Sequence, residues 1–258
     1  MKIAVKCLPI AVALLTAGCG SPQSPMSQTP TTPNTMTEDS TWNDTTRSDL
    51  REALRNHVVG ELRLANSDHD EIIQACREVY IEDECPEDEW ESFVRFATEE
   101  LRKADSAHSA AQATWPRETD CDRLDHVEAT LRDRGILLWQ VSPCCDTCTF
   151  GELPDRIDEI DRRYPGFRGN VRGYAFFIDQ NMADMLATDT DISVYLAYGW
   201  FSQDDSSVAP EVYKQNALGI AREVCDCLRE HGFKPNWDGS FSNKIGVSLN
   251  WQRRTMLQ

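Results

Sequence analysis

The sequence predicts an α+β domain, in which an N-terminal helical segment packs on a mixed or antiparallel sheet that carries helices. Residues 48–112 show only helical periodicity, whereas residues 113–256 alternate helical and extended patterns. The order of elements, counted from the helix before the first strand, is α-β-α-β-β-α-β-β, which is typical of a mixed sheet with helices on one or both faces. We expect 48–256 to form one structural unit.

The helical segment is predicted to contain three helices. The first begins behind the cap residue Ser48, and Ser67 opens the second. The third begins after Pro86, which is a favourable first helical residue. Their apolar stripes are Leu50, Leu54, Val58 and Leu62; Ile72, Ile73, Cys76, Val79 and Tyr80; and Trp90, Phe93, Val94, Ala97 and Leu101.

The second segment starts with a helix that Thr119 caps and Gly135 ends. The elements that follow are a strand at 136–141, a helix at 150–164, strands at 171–178 and 192–201, a helix at 211–231, and a terminal hairpin of 233–237 and 244–251. The turn sequence Asp238-Gly239-Ser240 between the last two strands is the signal for that hairpin.

The N-terminus is typical of an exported lipoprotein. Lys2 and Lys6 flank the start of an apolar stretch that is too short to span a bilayer comfortably. The following LTAGC at 15–19 resembles a bacterial lipobox, although its leucine lies one position further from the cysteine than usual. We therefore expect a signal peptide at 1–18 and a lipid on Cys19. The alternative is an ordinary secretory signal.

Residues 19–47 are predicted to be a disordered tether, because they are rich in Pro, Ser and Thr and show no hydrophobic period. A flexible coil of this length spans on the order of 30 Å. No later stretch approaches the roughly eighteen apolar residues of a membrane span, so the lipid is the only predicted membrane contact. The sequence thus predicts a protein of the bacterial cell envelope, lipid-anchored on the non-cytoplasmic side of a membrane.

The composition argues against nucleic acid as a partner. The chain has 43 acidic and 26 basic residues and a formal net charge of -17, which nucleic acids and anionic headgroups repel. The sequence contains no G-x-S-x-G, Walker or dinucleotide-binding glycine pattern. Nucleophilic serine and phosphate chemistry therefore have no support, and an unknown protein is the expected partner.

Ten cysteines are present, and eight remain once Cys7 leaves with the signal peptide and Cys19 takes the lipid. An even number in an exported protein is what a disulfide framework requires. Cys76 and Cys85 bracket a helix end and a turn, so they are the simplest local disulfide pair. Cys227 lies near an apolar helical stripe and is predicted to pack as a small residue.

Cys144, Cys145 and Cys148 directly follow a predicted strand, and Cys121 opens the helix before it. A structural disulfide within this set suits an exported protein. Zinc is an alternative, because Cys145-x-x-Cys148 has the spacing of half a zinc site, with Cys121 and Cys144 as further ligand candidates. If the helix and strand pack antiparallel, we expect Cys121 at the far end from the other three. A four-cysteine site is therefore not assumed.

A redox-active thiol pair is the third interpretation of Cys145 and Cys148. The pair lies between a strand end and a helix N-terminus, where backbone N–H groups and the helix dipole favour a thiolate. The elements that follow resemble part of a thioredoxin-like fold. Two features oppose this interpretation: Asp146 places a negative charge between the thiols, and no proline lies just before Val171, where that family has its cis-proline.

Several ordered motifs resemble a bacterial family of uncharacterised domains. They are Trp115, 119-TDCDRLD-125, 144-CCDTC-148, 173-GYAFF-177, 195-YLAYG-199, 237-WDGS-240 and 251-WQRR-254. The resemblance covers 49–254 and implies no activity, because the family has no established function. In the family the second strand commonly continues Phe-Phe-His, so any role of that histidine would be missing here at Ile178. Relatives that lack an export signal would keep the cysteines reduced or bound to metal.

The sequence favours a non-catalytic binding or accessory module of the cell envelope. The alternatives are a membrane-tethered thiol–disulfide oxidoreductase that uses Cys145 and Cys148, and a zinc-binding module built on the same cysteines. Whether the protein is an enzyme stays open at this stage, and zinc is the only cofactor that the spacing of the cysteines suggests.

Overall fold

A computed structural model describes residues 42–143, 145–202 and 208–254. The predicted signal peptide, Cys19 and most of the tether lie outside these residues, as does Cys144. The helices are α1 Asp44–Leu64, α2 His69–Ala75, α3 Glu82–Glu84, α4 Trp90–Gln112, α5 Asp120–Asp133, α6 Asp146–Arg163, α7 Phe167–Asn170, α8 Met182–Thr188 and α9 Pro210–Glu230. A π-helical turn, Cys76–Ile81, follows α2, and a 3₁₀ turn, Glu87–Glu89, precedes α4. The strands are β1 Ile136–Ser142, β2 Gly173–Ile178, β3 Asp191–Trp200 and β4 Ile245–Asn250.

The predicted α+β class is confirmed, and the sheet is mixed. Its strand order is β1-β2-β3-β4, with β1 parallel to β2 and the other neighbours antiparallel. The sequence interpretation missed α8, which lies between β2 and β3. Among the described residues, no helix is both long and apolar enough to cross a membrane.

Of the predicted terminal hairpin, the second strand forms as β4, whereas the first does not form a strand. β4 pairs with β3 over six residue pairs, from Asp191 with Asn250 to Leu196 with Ile245. The segment 233–237 contributes only an isolated bridge between Asn236 and Gly246. The local turn signal was correct, but the edge of β3 offers β4 a longer ladder and a buried face, and this long-range pairing decides the strand partner.

The first helix begins earlier than predicted. Asn43, not Ser48, is its N-cap, and the Asn43 side chain accepts hydrogen bonds from the backbone N–H groups of Thr45 and Thr46. The last residues of the predicted tether are therefore helical. α1 packs with α2, α4 and the π-helical turn around a core of their own, which contains Leu50, Leu54, Val58, Leu62, Ile72, Cys76, Ile81, Cys85, Phe93, Ala97 and Leu101.

The sheet separates two further apolar cores. Alternate residues of a strand point to opposite faces, so Ile136 and Leu138 pack toward α5 and α9, whereas Leu137 and Trp139 pack toward α6 and α7. β1 is an edge strand, and the C-terminal end of β1 leads directly into the cysteine segment. This arrangement places the start of α6 over one face of the sheet and the start of α5 over the other.

The helical segment contacts the sheet segment through α8. The Cα of Gly60 in α1 lies so close to α8 that a Cβ at this position would meet the carbonyl oxygen of Ala183 at 2.0 Å. The Arg63 guanidinium donates to the carbonyl oxygen of Leu186 at 2.5 Å, and the indole N–H of Trp251 donates to the carbonyl of Arg63 at 3.0 Å. These contacts fix α1 against the sheet segment.

Candidate active site at the end of β1

The last residues of β1 depart from regular strand geometry. The pairing register with β2 shifts between Trp139 and Ser142, which marks a β-bulge or a similar irregularity. Val141 has a φ of 51°. A left-handed backbone is an outlier for a β-branched residue and costs on the order of 1–3 kcal/mol. Such strain persists only where surrounding contacts hold it, and it is concentrated at functional sites.

Two buried hydroxyl groups connect this irregular strand end to the start of α6. The Ser142 hydroxyl donates to the carbonyl oxygen of Phe177 at 3.1 Å, and the Thr149 hydroxyl donates to Ser142 Oγ at 3.0 Å. Both side chains are fully buried. The first turn of α6 is thereby held against β1 and β2 by hydrogen bonds within the protein interior, where they are stronger than in water.

Cys145 is the N-cap of α6. Its sulfur accepts a hydrogen bond from the backbone N–H of Cys148 at 3.4 Å, and the two sulfur atoms lie 3.2 Å apart. A disulfide bond measures about 2.05 Å, so the sulfurs are not covalently joined; instead the Cys145 thiol donates a hydrogen bond to the Cys148 sulfur. Cys145 is half-buried and Cys148 is exposed. An N-cap sulfur that receives a helical N–H is in the position that most favours a thiolate.

The charge of Asp146 is offset by a residue from a distant part of the chain. The Lys244 ammonium lies 2.8 Å from the Asp146 carboxylate, and both side chains are about two-fifths exposed, at 38% and 39%. The sequence interpretation treated Asp146 as a charge opposing thiolate formation. In the structure Lys244 pairs with this carboxylate, which weakens the objection, although an ion pair this exposed contributes modestly.

The other described cysteines are buried and have free thiols. They are Cys76, Cys85, Cys121, Cys225 and Cys227. Burial raises the pKa of Cys76 and of Cys121 to about 12, and the pKa of Cys225 and of Cys227 to about 11. Burial also raises the pKa of Cys85. Thiols of this kind carry little thiolate at neutral pH and react slowly.

Cys76 and Cys85, the predicted local disulfide pair, are not joined in this structure. Both lie in the core of the helical segment, where Cys76 begins the π-helical turn and Cys85 follows α3. The Cys85 thiol donates to the carbonyl of Pro86 at 3.4 Å. Cys227 is buried in the core beside the sheet, where it packs as a small residue, as the sequence predicted.

The position of Cys121 corrects the sequence interpretation. Antiparallel packing brings the start of α5 to the end of β1, because Gln140 donates to both Asp125 and Glu128, at 2.9 and 2.7 Å. Cys121 therefore lies at the same end of the sheet as Cys145. It is buried in the core on the α5 and α9 face, however, whereas α6 covers the opposite face.

Within the described ranges, no three His, Cys, Asp or Glu side chains are grouped as a metal ion would need. The zinc interpretation also involves Cys144, which lies outside those ranges.

Three residues of the site were missed by sequence reasoning. Ser142, Thr149 and Lys244 contact the cysteine segment, but Lys244 is 98 residues from Asp146 and nothing in the sequence joins them. The pattern Ser-Pro-Cys-Cys-x-x-Cys-Thr could have suggested the Ser142–Thr149 pair, since both residues flank the cysteines. Ile178, at the end of β2, pairs with Ser142 in the sheet and so borders this segment.

The fold and the site define an α+β domain with a C-x-x-C pair at a strand-to-helix junction. The chain belongs to the family described as a domain of unknown function, DUF6891, whose model matches residues 40–255. This confirms the resemblance to an uncharacterised bacterial domain family. No curated protein matches the sequence. No solved structure matches it either.

Proposed function

We propose that the domain carries out thiol–disulfide exchange, with Cys145 as the attacking thiol and Cys148 as the resolving thiol. One observation carries the proposal: the Cys145 sulfur caps α6, accepts the N–H of Cys148, and lies 3.2 Å from the Cys148 sulfur. The cap favours the thiolate that attacks, and the short separation favours closure of a disulfide between the two residues.

In the proposed reaction, the Cys145 thiolate attacks one sulfur of a substrate disulfide. A mixed disulfide forms, and the other substrate sulfur leaves as a thiolate. The Cys148 thiolate then attacks the Cys145 sulfur, which closes the Cys145–Cys148 disulfide and releases the second substrate thiolate. The substrate gains two electrons and the cysteine pair loses two. A thiol reductant restores the pair, and the reverse sequence would oxidise a substrate dithiol. No cofactor is required.

The burial of the other described thiols supports this assignment, since it leaves Cys145 and Cys148 as the accessible thiols in the described part of the domain. The rigid connection through Ser142 and Thr149 also suits catalysis, because it holds the attacking sulfur in a fixed position. The sequence alone favoured a non-catalytic binding or accessory module. The geometry of the cysteine pair makes exchange the better-supported function.

The predicted cellular location is compatible with thiol–disulfide exchange. A lipid on Cys19 would anchor the domain on the outer side of a bacterial membrane, at the end of the tether. Compartments outside the cytoplasm are where protein disulfides form and persist. The substrates would therefore be envelope proteins with exposed disulfides or dithiols, which agrees with the expectation of a protein partner and no nucleic acid.

The test uses the purified full-length chain and oxidised glutathione. In the Cys148→Ser variant, Cys145 should accumulate a mixed disulfide with glutathione, because nothing resolves it. The wild-type chain should instead form the Cys145–Cys148 disulfide, which dithiothreitol reopens. Peptide mass spectrometry after thiol alkylation identifies each species.

Cys227→Ser, which removes a buried thiol, is the matched control and should behave like the wild type. Cys144→Ser shows whether the neighbouring cysteine takes part. The proposal is wrong if Cys148→Ser forms no glutathione adduct at Cys145, or if the oxidised wild-type chain contains no Cys145–Cys148 disulfide.

A further inference from the structure

A small cleft lies at the free edge of β1, between α5 and α6. Its volume is about 70 Å³, several times the roughly 10–15 Å³ that a cavity needs to hold one water molecule. Leu137 and Ile160 contribute apolar walls, and the polar lining consists of Glu128, Arg132, Arg156, Arg163 and Tyr164. Three guanidinium groups around a cavity of this size are unusual in a chain with a net charge of -17.

Arg132 is held by ring stacking, and within the described part of the chain its guanidinium makes no side-chain hydrogen bond. Its guanidinium carbon lies 3.7 Å from the centre of the Tyr164 ring, and only 19% of its side chain is exposed. The Asp133 carboxylate lies 3.9 Å from its Nε, which is beyond hydrogen-bond distance, and Glu128 interacts with the Arg132 guanidinium electrostatically across the cleft. Stacking occupies the face of a guanidinium and leaves the N–H groups at its edge available.

Arg156 is also incompletely paired. One terminal nitrogen donates to Glu159 at 2.7 Å, and the guanidinium lies 5.6 Å from the Trp139 ring centre. Its Nε is buried and has no hydrogen-bond partner within the described residues. Buried donors are rarely left unpaired in proteins, so each exception calls for a partner that the chain itself does not supply.

Two carboxylates oppose these positive charges. Glu159 pairs with Arg156 and also lies 2.9 Å from Arg163. Glu128 lines the cleft, and burial raises its pKa although a hydrogen bond from Gln140 acts in the other direction. The cleft therefore keeps an excess of positive charge, because three guanidinium groups line it and the nearby Arg132 and Arg156 face Glu128 as the one lining carboxylate.

We propose that this cleft binds a small oxyanion, a phosphate or a carboxylate group, through Arg132 and Arg156. The planar fork of arginine matches the oxygen spacing of both groups. The cavity is large enough for such a group but not for a large ligand. This binding is independent of thiol exchange, since the cleft lies at the other end of α6 from the cysteine pair.

Calorimetry on the full-length chain at constant ionic strength measures the binding of inorganic phosphate. A separate series measures the binding of acetate. Saturable binding of at least one is expected. Arg132→Gln and Arg156→Gln should each weaken it about tenfold or more, because each removes a charge-assisted hydrogen bond. Arg222→Gln is the matched control, since Arg222 is exposed on α9 and should have no effect.

Glu128→Gln is expected to bind the oxyanion more tightly than the wild type does. Misfolding of the variant would weaken binding, so it could not produce this result. Removing this buried negative charge should tighten binding by about threefold or more. The proposal is overturned if neither oxyanion binds at millimolar concentration, or if Arg222→Gln weakens binding as much as Arg132→Gln does. The arginines would then serve only to protect the edge of β1 from pairing with another chain.

Discussion

Lys244 shows how a single side chain changes the chemistry of a distant segment. It immediately precedes β4, and the pairing of β4 with β3 carries it to the start of α6. The pair with Asp146 is partly exposed, so its contribution is modest and depends on salt. Asp146 follows Cys145 in the chain, so we expect this ion pair to influence the Cys145 thiol.

Lys244→Ala should therefore slow the alkylation of Cys145 at neutral pH by about twofold to fivefold, because an uncompensated Asp146 disfavours the thiolate. Site-resolved mass spectrometry after timed exposure to iodoacetamide measures the rate. The double variant Lys244→Ala with Asp146→Asn should recover it. Lys234→Ala, at an exposed position, is the control. Unchanged alkylation in Lys244→Ala would show that the ion pair has no influence on the thiol.

The contact between α1 and α8 is the clearest packing constraint at the level of elements. Gly60 lies inside α1, where glycine lowers the stability of an isolated helix by about 0.5–1 kcal/mol relative to alanine. The backbone of Ala183 explains it, because a Cβ on residue 60 would lie 2.0 Å from that carbonyl oxygen. Only glycine allows the two helices to approach this closely.

Gly60→Ala should destabilise the protein by about 1–3 kcal/mol, since backbone atoms must move apart to accept the methyl group. Gly219→Ala is the matched control: Gly219 lies within α9, where an added Cβ meets nothing within 4 Å. The control should be neutral or more stable by about 0.5–1 kcal/mol. Urea unfolding of both variants measures the difference. Equal stability of the two would contradict the proposed packing constraint.

At the scale of the whole molecule, the predicted lipid anchor would determine where the domain can act. The predicted tether joins Cys19 to α1, which begins at Asp44. A coil of about 25 residues has a root-mean-square span of roughly 25–30 Å. The domain would thus reach substrates within a few nanometres of the membrane, while its acidic surface keeps it away from anionic headgroups.

Cys19→Ser should release the protein from the membrane into the soluble fraction, because a lipid chain is the only predicted membrane contact. Fractionation of cells that express the full-length chain, followed by immunoblotting, measures the distribution. Cys7→Ser changes a cysteine within the predicted signal peptide and serves as the control. Continued membrane association of Cys19→Ser would refute the lipid anchor.

Helices and their ends were largely predictable from local sequence. Thr119 caps α5, Gly135 follows it with a φ of 73°, and Pro86 precedes the turn that leads into α4. These signals act over a few residues, through backbone N–H groups that need partners and through the conformational freedom of glycine. The short helix α8 was missed, because its seven residues are too few to show a clear period.

The sequence by itself determined the α+β class, the family and the place of the C-x-x-C pair between a strand and a helix, because all three depend on local patterns. Only the tertiary structure decided that β4 pairs with β3, that Lys244 neutralises Asp146, and that Cys121 is buried on the other face of the sheet. These contacts join residues far apart in the chain, and their partners are selected by the packing of the whole sheet rather than by neighbouring residues.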